Sequence, residues 1–333
     1  IADGDWSSDV CSSDLVRNSD WYECGVQVED PTGFSTGGGI MLRSEKTEWG
    51  YDVLRATVTG IEEDIIYLDQ LAEENFWLSR NATAATIFPI IYAEHVDNLQ
   101  IENIVLDGNK ENNININGNY AGAVFIKYCH HWTFRNVTAR NYNGDGYSWQ
   151  VCNDIHFENC KSLNNANLGF HPGSGSQRPV IRNCTSRGNS QGIFFCWGVS
   201  DGLVENCMLS NNKLYGISIG HRDTDNIIKN STIKQNEAVG ILFRNEENPF
   251  NSGNRNLISN CLILDNGGKK EGFGIKILGK TKDITIRDTQ IKNTSNTKQK
   301  TGIHISKDAK GIKLEDNSIE KSPVPVEDLR TGK

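Results

Sequence analysis

Four polar side chains near the middle of the chain could carry acid–base chemistry. His221 and Asp223 stand two residues apart, and Arg244 and Glu246 repeat this spacing 23 residues later. Two carboxyl groups form the acid and base, or acid and nucleophile, of glycoside hydrolysis. A histidine could instead abstract a proton beside a carboxylate that an arginine neutralises. We therefore predict a catalytic group made of Asp223, Glu246, His221 and Arg244.

Aromatic and polar residues at neighbouring positions could hold a sugar. Trp197 precedes His221 by 24 residues, and its ring offers a large flat surface for stacking. The other predicted substrate-binding residues are Phe194, His171, Gln150, Arg178 and Asp145. Asp145 lies in an Asn-Gly-Asp-Gly segment, so turn formation is an alternative explanation for this residue.

A repeat of 23 to 24 residues is the feature that would bring these positions together. Each unit contains an alternating hydrophobic run, an Asn, a polar stretch, and a Gly that opens a second alternating run. The opening glycines fall at positions 122, 146, 169, 192, 216, 240, 274 and 302. The Asn marker falls at 136, 159, 183, 206, 230 and 260, and Asp288 and Asp316 continue it. Two markers that share one period indicate a stack of equivalent units.

The units are too short to hold a strand and a packed helix of ordinary length. Their apolar residues alternate with period two, as in Gly216-Ile-Ser-Ile-Gly220, which indicates strands. Asn and Gly tolerate the left-handed backbone of the tight turns that would join them. Because stacked coils form continuous sheets around a narrow core, we predict an all-β fold. A parallel β-helix (solenoid) of about eight or nine coils should span residues 97–333.

The repeat also predicts which side chains point inward. Positions one and three residues after each opening Gly should form a core stack that runs from Tyr147 and Trp149 to Ile303 and Ile305. The position between them should face solvent, and it holds Ser148, His171, Phe194, Ser218 and Leu242. Exposed Phe194 and Leu242 beside a histidine would form a ligand platform. Trp197 and His221 share an offset of five, so coils about 4.8 Å apart should make them neighbours.

The N-terminal part lacks the repeat. Residues 16–96 contain short strand-like segments and turns, which we interpret as a β-rich cap over the terminal coil. Residues 6–15 repeat Ser-Ser-Asp and resemble a translated sequencing adaptor from the end of a metagenomic contig. We therefore treat residues 1–15 as non-native and the N-terminus as truncated. A natural disordered tail is the alternative.

Composition restricts the partners. The chain has 333 residues and a formal net charge of −8, without a basic block, which argues against nucleic acid and anionic membranes. It has no apolar run of about twenty residues, so we predict no membrane span. Without a dense Asp cluster we predict no metal and no cofactor. Four Asn-Cys dipeptides, ending at Cys160, Cys184, Cys207 and Cys261, predict a ladder of free inward thiols.

Over roughly residues 80–320, the chain resembles the right-handed parallel β-helix proteins of the pectate lyase-like superfamily. The similar segments are Gly144-Asp-Gly-Tyr-Ser-Trp-Gln150, Gly169-Phe-His-Pro-Gly-Ser-Gly-Ser-Gln-Arg-Pro179, Phe195-Cys-Trp-Gly198, Ile219-Gly-His-Arg-Asp-Thr-Asp-Asn226 and Phe243-Arg-Asn-Glu246. The resemblance implies a right-handed β-helix. It leaves the reaction open, because that fold hosts lyases, hydrolases, epimerases and non-catalytic tailspike or adhesion modules.

The leading hypothesis is a carbohydrate-active enzyme that cleaves an oligo- or polysaccharide. Asp223 and Glu246 would act as general acid and base, or as acid and nucleophile. One alternative is a polysaccharide lyase in which His221 is the base, and another is a non-catalytic glycan-binding or structural solenoid. A secreted or periplasmic location would fit such a substrate. The sugar, its linkage, the oligomeric state and the compartment stay open.

Overall fold

The structure, a computed structural model, describes residues 12–48, 50–86, 89–112, 115–268, 271–294 and 299–330. It divides into two compact units, residues 1–89 with 111–114 and residues 90–110 with 115–333. Helix in the described ranges is confined to two 3₁₀ turns, Leu78–Arg80 and Lys110–Asn112. None of the described helices could span a membrane. The prediction of an all-β fold is confirmed.

The first unit contains six antiparallel strands in the order β1-β6-β3-β4-β5-β2. They are β1 (Ser12–Asp14), β2 (Gly25–Gln27), β3 (Gly39–Glu45), β4 (Tyr51–Glu62), β5 (Ile65–Leu68) and β6 (Thr83–Ala85). Their core includes the fully buried Ile40 and Phe76. Of the segment predicted to be non-native, residues 1–11 lie outside the described ranges. Ser12–Asp14 pair with β6, and Leu15 is buried.

The second unit winds through three parallel sheets. The first sheet, of ten strands, contains β7 (Ile91–Glu94), β10 (Gly122–Lys127), β13 (Asp145–Gln150), β16 (Leu168–Gly173), β19 (Gln191–Phe194), β22 (Tyr215–Ile219), β25 (Val239–Phe243), β28 (Phe273–Ile277), β31 (Thr301–Ile305) and β34 (Val324–Asp328). Every third strand of the chain thus returns to the same sheet, as a parallel β-helix requires. The predicted boundary at residue 97 falls between β7 and the next strand.

The other two sheets have nine strands each. The second contains β8 (Gln100–Glu102), β11 (Thr133–Arg135), β14 (His156–Glu158), β17 (Val180–Arg182), β20 (Leu203–Glu205), β23 (Ile227–Lys229), β26 (Leu257–Ser259), β29 (Thr285–Arg287) and β32 (Lys313–Glu315). The third contains β9 (Val105–Asp107), β12 (Thr138–Arg140), β15 (Lys161–Leu163), β18 (Thr185–Arg187), β21 (Met208–Ser210), β24 (Thr232–Lys234), β27 (Leu262–Leu264), β30 (Gln290–Lys292) and β33 (Ser318–Glu320). Each strand of these two sheets has three residues, so the longest strands of the β-helix lie in the first sheet.

The inward stack agrees with the sequence pattern. Tyr147 and Phe170 stack at 4.9 Å between ring centroids, and the apolar stack continues to the fully buried Ile303 and Ile305. The first register step differs from the prediction, because Gly122 pairs with Asp145 and not with Gly146. All later opening glycines from position 169 onward keep the predicted register.

Left-handed turns explain the Asn marker. Asn136, Asn159 and the equivalent residues through Asp316 all have φ between 48° and 54°, a conformation that Asn and Asp adopt more readily than most residues. Cys160, Cys184 and Cys207 are buried free thiols beside this turn. The backbone N–H of Cys160 lies 3.3 Å from Sγ of Cys184. Cys261 is also a buried free thiol, but Ser231 separates it from Cys207, whose backbone N–H donates to Ser231 Oγ at 3.0 Å. The prediction of buried free thiols is confirmed, and the predicted row of four is interrupted before Cys261.

Candidate functional site

Two residues from neighbouring coils form a histidine–carboxylate pair beyond the end of the first sheet. His221 follows β22, and Glu246 follows β25 in the adjacent coil. Oε1 of Glu246 lies 2.8 Å from Nδ1 of His221 and accepts the His221 backbone N–H at 3.2 Å. The Nδ1 contact is close but not aligned as a hydrogen bond, and Nδ1 has no other partner. Contacts of this kind often tighten only when substrate binds.

The environment of His221 favours its neutral form. Burial lowers the pKa of His221 below its ordinary value; Glu246 acts in the opposite direction, and Arg244 and Arg222 lower it further. The side chain is still 39% exposed. A neutral, accessible imidazole with a carboxylate at Nδ1 has the arrangement of a general base that would act through Nε2.

Trp197 extends this pair into an aromatic surface. Its ring stacks on that of His221 with a centroid separation of 5.0 Å and an interplanar angle of 23°, as their shared offset in the repeat predicted. Trp197 is 51% exposed, although most large apolar side chains of this coil are buried. One exposed ring face beside a titratable imidazole is suited to hold a sugar ring next to the base.

Asp223 does not lie on the accessible surface, which corrects the sequence prediction. Its side chain is fully buried. Oδ1 accepts the backbone N–H groups of Gly198 and Val199, each at 3.1 Å, and Oδ2 accepts that of Gly220 at 2.9 Å. Burial raises the pKa of Asp223 to about 6, although Arg244 and these N–H groups act to lower it. A carboxylate with this many protein donors anchors the turn and cannot approach a substrate.

Arg244 is also committed to contacts within the protein. Nη2 donates to Asp223 Oδ2 at 3.1 Å, and Nη1 donates to Ser218 Oγ at 2.9 Å. Its guanidinium carbon lies 4.5 Å above the ring of Phe194, so it covers one face of that ring. The predicted exposed platform of Phe194 and Leu242 is therefore wrong. Phe194 is half-buried because Arg244 covers its ring, and Leu242 is buried in a cluster against which Tyr215 and Phe273 pack.

A second histidine–carboxylate pair, formed by His171 in β16 and Asp145 in β13, is buried in the first sheet. Nδ1 of His171 donates to Oδ2 of Asp145 at 2.7 Å, and Oδ1 of Asp145 accepts the N–H of Leu168 at 2.9 Å. Both side chains were predicted to be accessible, and both are buried. The reason is the segment at Gly118, which lies so close that a methyl group there would clash with Asp145.

Gln150 and Arg178 make contacts that do not involve His221 or Glu246. Nε2 of Gln150 donates to Ser148 Oγ at 2.9 Å, and Gln150 is buried. Arg178 forms a two-pronged ion pair with Asp154 on the surface, with both contacts at 2.8 Å. The structure therefore brings Trp197 to the His221–Glu246 pair and assigns these two predicted binding residues to other contacts.

The longest insertion in the repeat, between β25 and β26, packs against the turn that carries His221. The carbonyl of Asn251 accepts the backbone N–H of Arg222 at 2.8 Å. Phe250, near the tip, is 80% exposed. A groove of about 320 Å³ begins at Glu246, and its lining comprises Asn245, Glu246, Glu247, Gly279, Lys280 and Asp308. The groove therefore runs from Glu246 over the turns that follow β28 and β31.

Comparison with known proteins identifies the architecture. The sequence profile described as "Right handed beta helix region" matches residues 122–254. Together with the three parallel sheets, this match shows that the chain has a right-handed parallel β-helix fold. This confirms the resemblance predicted from the repeat at the level of the fold.

Solved structures support the same assignment of this β-helix protein. A double mutant of the periplasmic alginate epimerase AlgG is 13% identical with a TM-score of 0.50, covering 68% of this chain and 70% of its own. An alginate lyase from Paenibacillus sp. strain FPU-7 is 12% identical with a TM-score of 0.50, covering 68% and 78%. At these identities the likeness establishes the fold alone. A search of curated protein sequences finds no match.

One group of exposed residues on this β-helix was not predicted from the sequence. Tyr128 and Val151 follow β10 and β13 and occupy the same register position as Trp197. Tyr128 lies six residues after Gly122, because Gly122 is one position out of register with the later opening glycines, so the offset of five did not predict it. Val151 does lie five residues after Gly146 and could have been predicted. Within the described ranges, no three His, Cys, Asp or Glu side chains converge as metal ligands would.

Proposed function

We propose that this β-helix protein acts on a polysaccharide at the turns that follow β19, β22 and β25 of its first sheet, with His221 as the general base. The observation that carries the proposal is the contiguous stack of exposed Trp197, half-exposed His221 and the Glu246 carboxylate. Trp197 would hold a sugar ring, and Glu246 would orient the imidazole and stabilise its protonated form.

The burial of Asp223 favours β-elimination over the two-carboxylate hydrolysis of the leading sequence hypothesis. Hydrolysis needs a second carboxyl group that can reach the glycosidic bond or a water molecule. Asp223 instead accepts three backbone N–H groups and Arg244. Elimination needs one base and a cation near the substrate carboxylate. Arg222 would be that cation, because it is exposed and directly follows His221 in the chain.

In the proposed reaction, Nε2 of His221 removes the proton on the carbon beside a uronate carboxylate. The electron pair left on that carbon forms a C=C bond as the glycosidic oxygen leaves. This oxygen takes up a proton from the imidazolium or from water, so the products are an unsaturated uronate end and a new reducing end. The names of the two similar solved structures, an epimerase and a lyase that act on alginate, agree with chemistry at a uronate. A periplasmic or extracellular location would suit this substrate.

A glycan-binding function without catalysis is the second candidate. The observation in its favour is that Asp223 and Arg244 are committed to contacts within the protein. The Trp197 surface would then serve recognition alone.

A two-signal assay tests these alternatives. Alginate, polygalacturonate, xylan and hydroxyethylcellulose would be incubated with the protein, and both reducing ends and the ultraviolet absorbance of unsaturated uronates would be measured. Elimination raises both signals, whereas hydrolysis raises reducing ends alone and would contradict the proposed reaction. Binding in native gels without either signal would support the second candidate. No cleavage and no binding of any of the four polymers would overturn both.

Two substitutions assign any activity to the site. Glu246→Gln should remove most of it. Glu327→Gln is the matched control, because Glu327 lies 2.6 Å from Nδ1 of His304 on the same sheet. Equal losses in the two variants would argue against a specific role for the His221–Glu246 pair.

A further inference from the structure

The residues that follow the strands of the first sheet form a continuous row over six coils. Strand register aligns His95, Tyr128, Val151, Ser174, Trp197 and His221 at one equivalent position. We call these six residues the rim row. With coils about 4.8 Å apart, five steps extend the row over about 24 Å. All six lie in the same compact unit.

Every residue of the rim row has a left-handed backbone, with φ between 41° and 63°. This conformation is unfavourable for bulky residues and exceptional for a β-branched residue such as Val151. The turn that contains Asn136 also has a left-handed backbone, and in eight successive coils its left-handed residue is Asn or Asp. Folding alone therefore does not require rings or Val at the rim. Strained positions of this kind tend to mark functional surfaces.

The rim row ends in two similar aromatic stacks. Tyr128 stacks on His95 with a centroid separation of 4.9 Å and an angle of 18°. Trp197 stacks on His221 in nearly the same geometry. Tyr128 and Val151 are each 38% exposed, and Lys127 Nζ lies 4.8 Å from the Tyr128 ring centroid. Three coil steps, about 14 Å, separate the Tyr128 ring from the Trp197 ring.

We infer that Tyr128 and His95 form a distal sugar-binding subsite, and that the ligand is an extended polysaccharide lying along the rim row. The inference rests on the proposed function at Trp197 and adds the direction and minimum length of the bound chain. A polymer that stacks on Trp197 and runs parallel to the helix axis would pass Ser174 and Val151 and reach the Tyr128 ring. A short oligosaccharide could contact only one of the two stacks.

The test compares Tyr128→Asn with Trp197→Asn, because Asn is the residue that the chain uses at its other left-handed turns. Tyr128→Phe keeps the ring and should bind like the native protein. Tyr22→Asn is the control, since Tyr22 is also an exposed aromatic residue with positive φ, but lies in the other unit. Melting temperatures would verify that each variant is folded.

Binding would be measured by retention in native gels that contain alginate, polygalacturonate, xylan or hydroxyethylcellulose. Oligosaccharides of increasing length from the retained polymer would then serve as competitors. We expect Trp197→Asn to weaken binding at every length. Tyr128→Asn should weaken binding about tenfold for long chains and leave the shortest bound chains unaffected.

The outcomes separate this inference from the proposed function. If Trp197→Asn loses affinity while Tyr128→Asn matches the native protein at every length, the distal subsite is wrong and the site at Trp197 stands. An equal loss at all lengths in Tyr128→Asn would also overturn the subsite. If the native protein binds none of the polymers, or if Trp197→Asn has no effect, the proposed function fails and the inference fails with it.

Discussion

His221 and Glu246 are 25 residues apart in the chain, yet one oxygen of Glu246 contacts both the ring and the backbone of His221. The backbone contact fixes the carboxylate, and the fixed carboxylate in turn faces Nδ1. Neighbouring Gly220 has no side chain, and a methyl group there would come within 3.0 Å of the same oxygen. Close stacking of adjacent coils therefore creates the pair.

Glu246→Gln should lower kcat by about 10²-fold or more, because a neutral amide cannot stabilise the imidazolium that forms during proton transfer. The melting temperature should change little, since the amide oxygen can still accept the His221 N–H. Kinetics on a polymer that the native protein cleaves, together with thermal unfolding, would check this. Native-like kcat would remove Glu246 from the mechanism.

The pH profile should report His221. Because burial lowers the pKa of His221, kcat/KM should fall only below pH 6.5, the ordinary value, as the base becomes protonated. Glu246 raises this pKa, so the residual activity of Glu246→Gln should persist to still lower pH. Profiles of both proteins on the same substrate would show the direction. A shift towards higher pH would contradict this electrostatic account.

Asp223→Asn should destabilise the fold, in contrast to Glu246→Gln. The substitution leaves Arg244 without its buried partner and turns an amide N–H₂ towards backbone donors, with an expected cost of about 3 to 5 kcal/mol. Asp225→Asn is the control, because Asp225 pairs with Arg255 at the surface and should cost about 1 kcal/mol or less. Denaturant unfolding measures both. Similar stabilities of the two variants would mean that Asp223 is not an anchor.

Val151→Asn should stabilise the protein by about 1 kcal/mol, because it relieves a β-branched residue held at φ 54°. Val151→Thr retains the branch and should bring no gain. Thermal unfolding of both variants is the measurement. If Val151→Asn is less stable than the native protein, the contacts of the Val side chain outweigh the backbone strain.

Thiol labelling should distinguish one cysteine from the others in the described ranges. Cys24 is exposed, whereas burial raises the pKa of Cys152 and Cys196 to about 12 and that of Cys261 to about 11. Because the thiolate is the reactive form, peptide mapping after brief alkylation of the native protein should find Cys24 modified well before these three. Rapid labelling of Cys152, Cys196 or Cys261 would contradict their burial in the folded protein.

The inward stack could be predicted from the sequence because it depends on alternation within each strand. The coil period and the left-handed turns could be predicted because Gly and Asn recur at fixed spacing. Ile217 and Ile219 point inward for the same reason as Tyr147 and Trp149, whatever their neighbours are. The error at Gly122 has a similarly local origin, since one glycine was taken as equivalent to those that follow. The stacked rings of Trp197 and His221 followed from a shared offset alone.

Accessibility on the outer face was decided by the tertiary structure. Asp223 and Glu246 looked alike in the sequence, but Asp223 is fully buried among backbone N–H groups, whereas the Glu246 side chain keeps 12% of its surface exposed. Gly118 covers Asp145, and Arg244 covers Phe194, through contacts between residues far apart in the chain. The sequence by itself determined the repeating scaffold and its inward face, because alternation within a strand sets them. Only the packing of loops and side chains between coils decided which outward residues meet solvent, because such contacts follow no period.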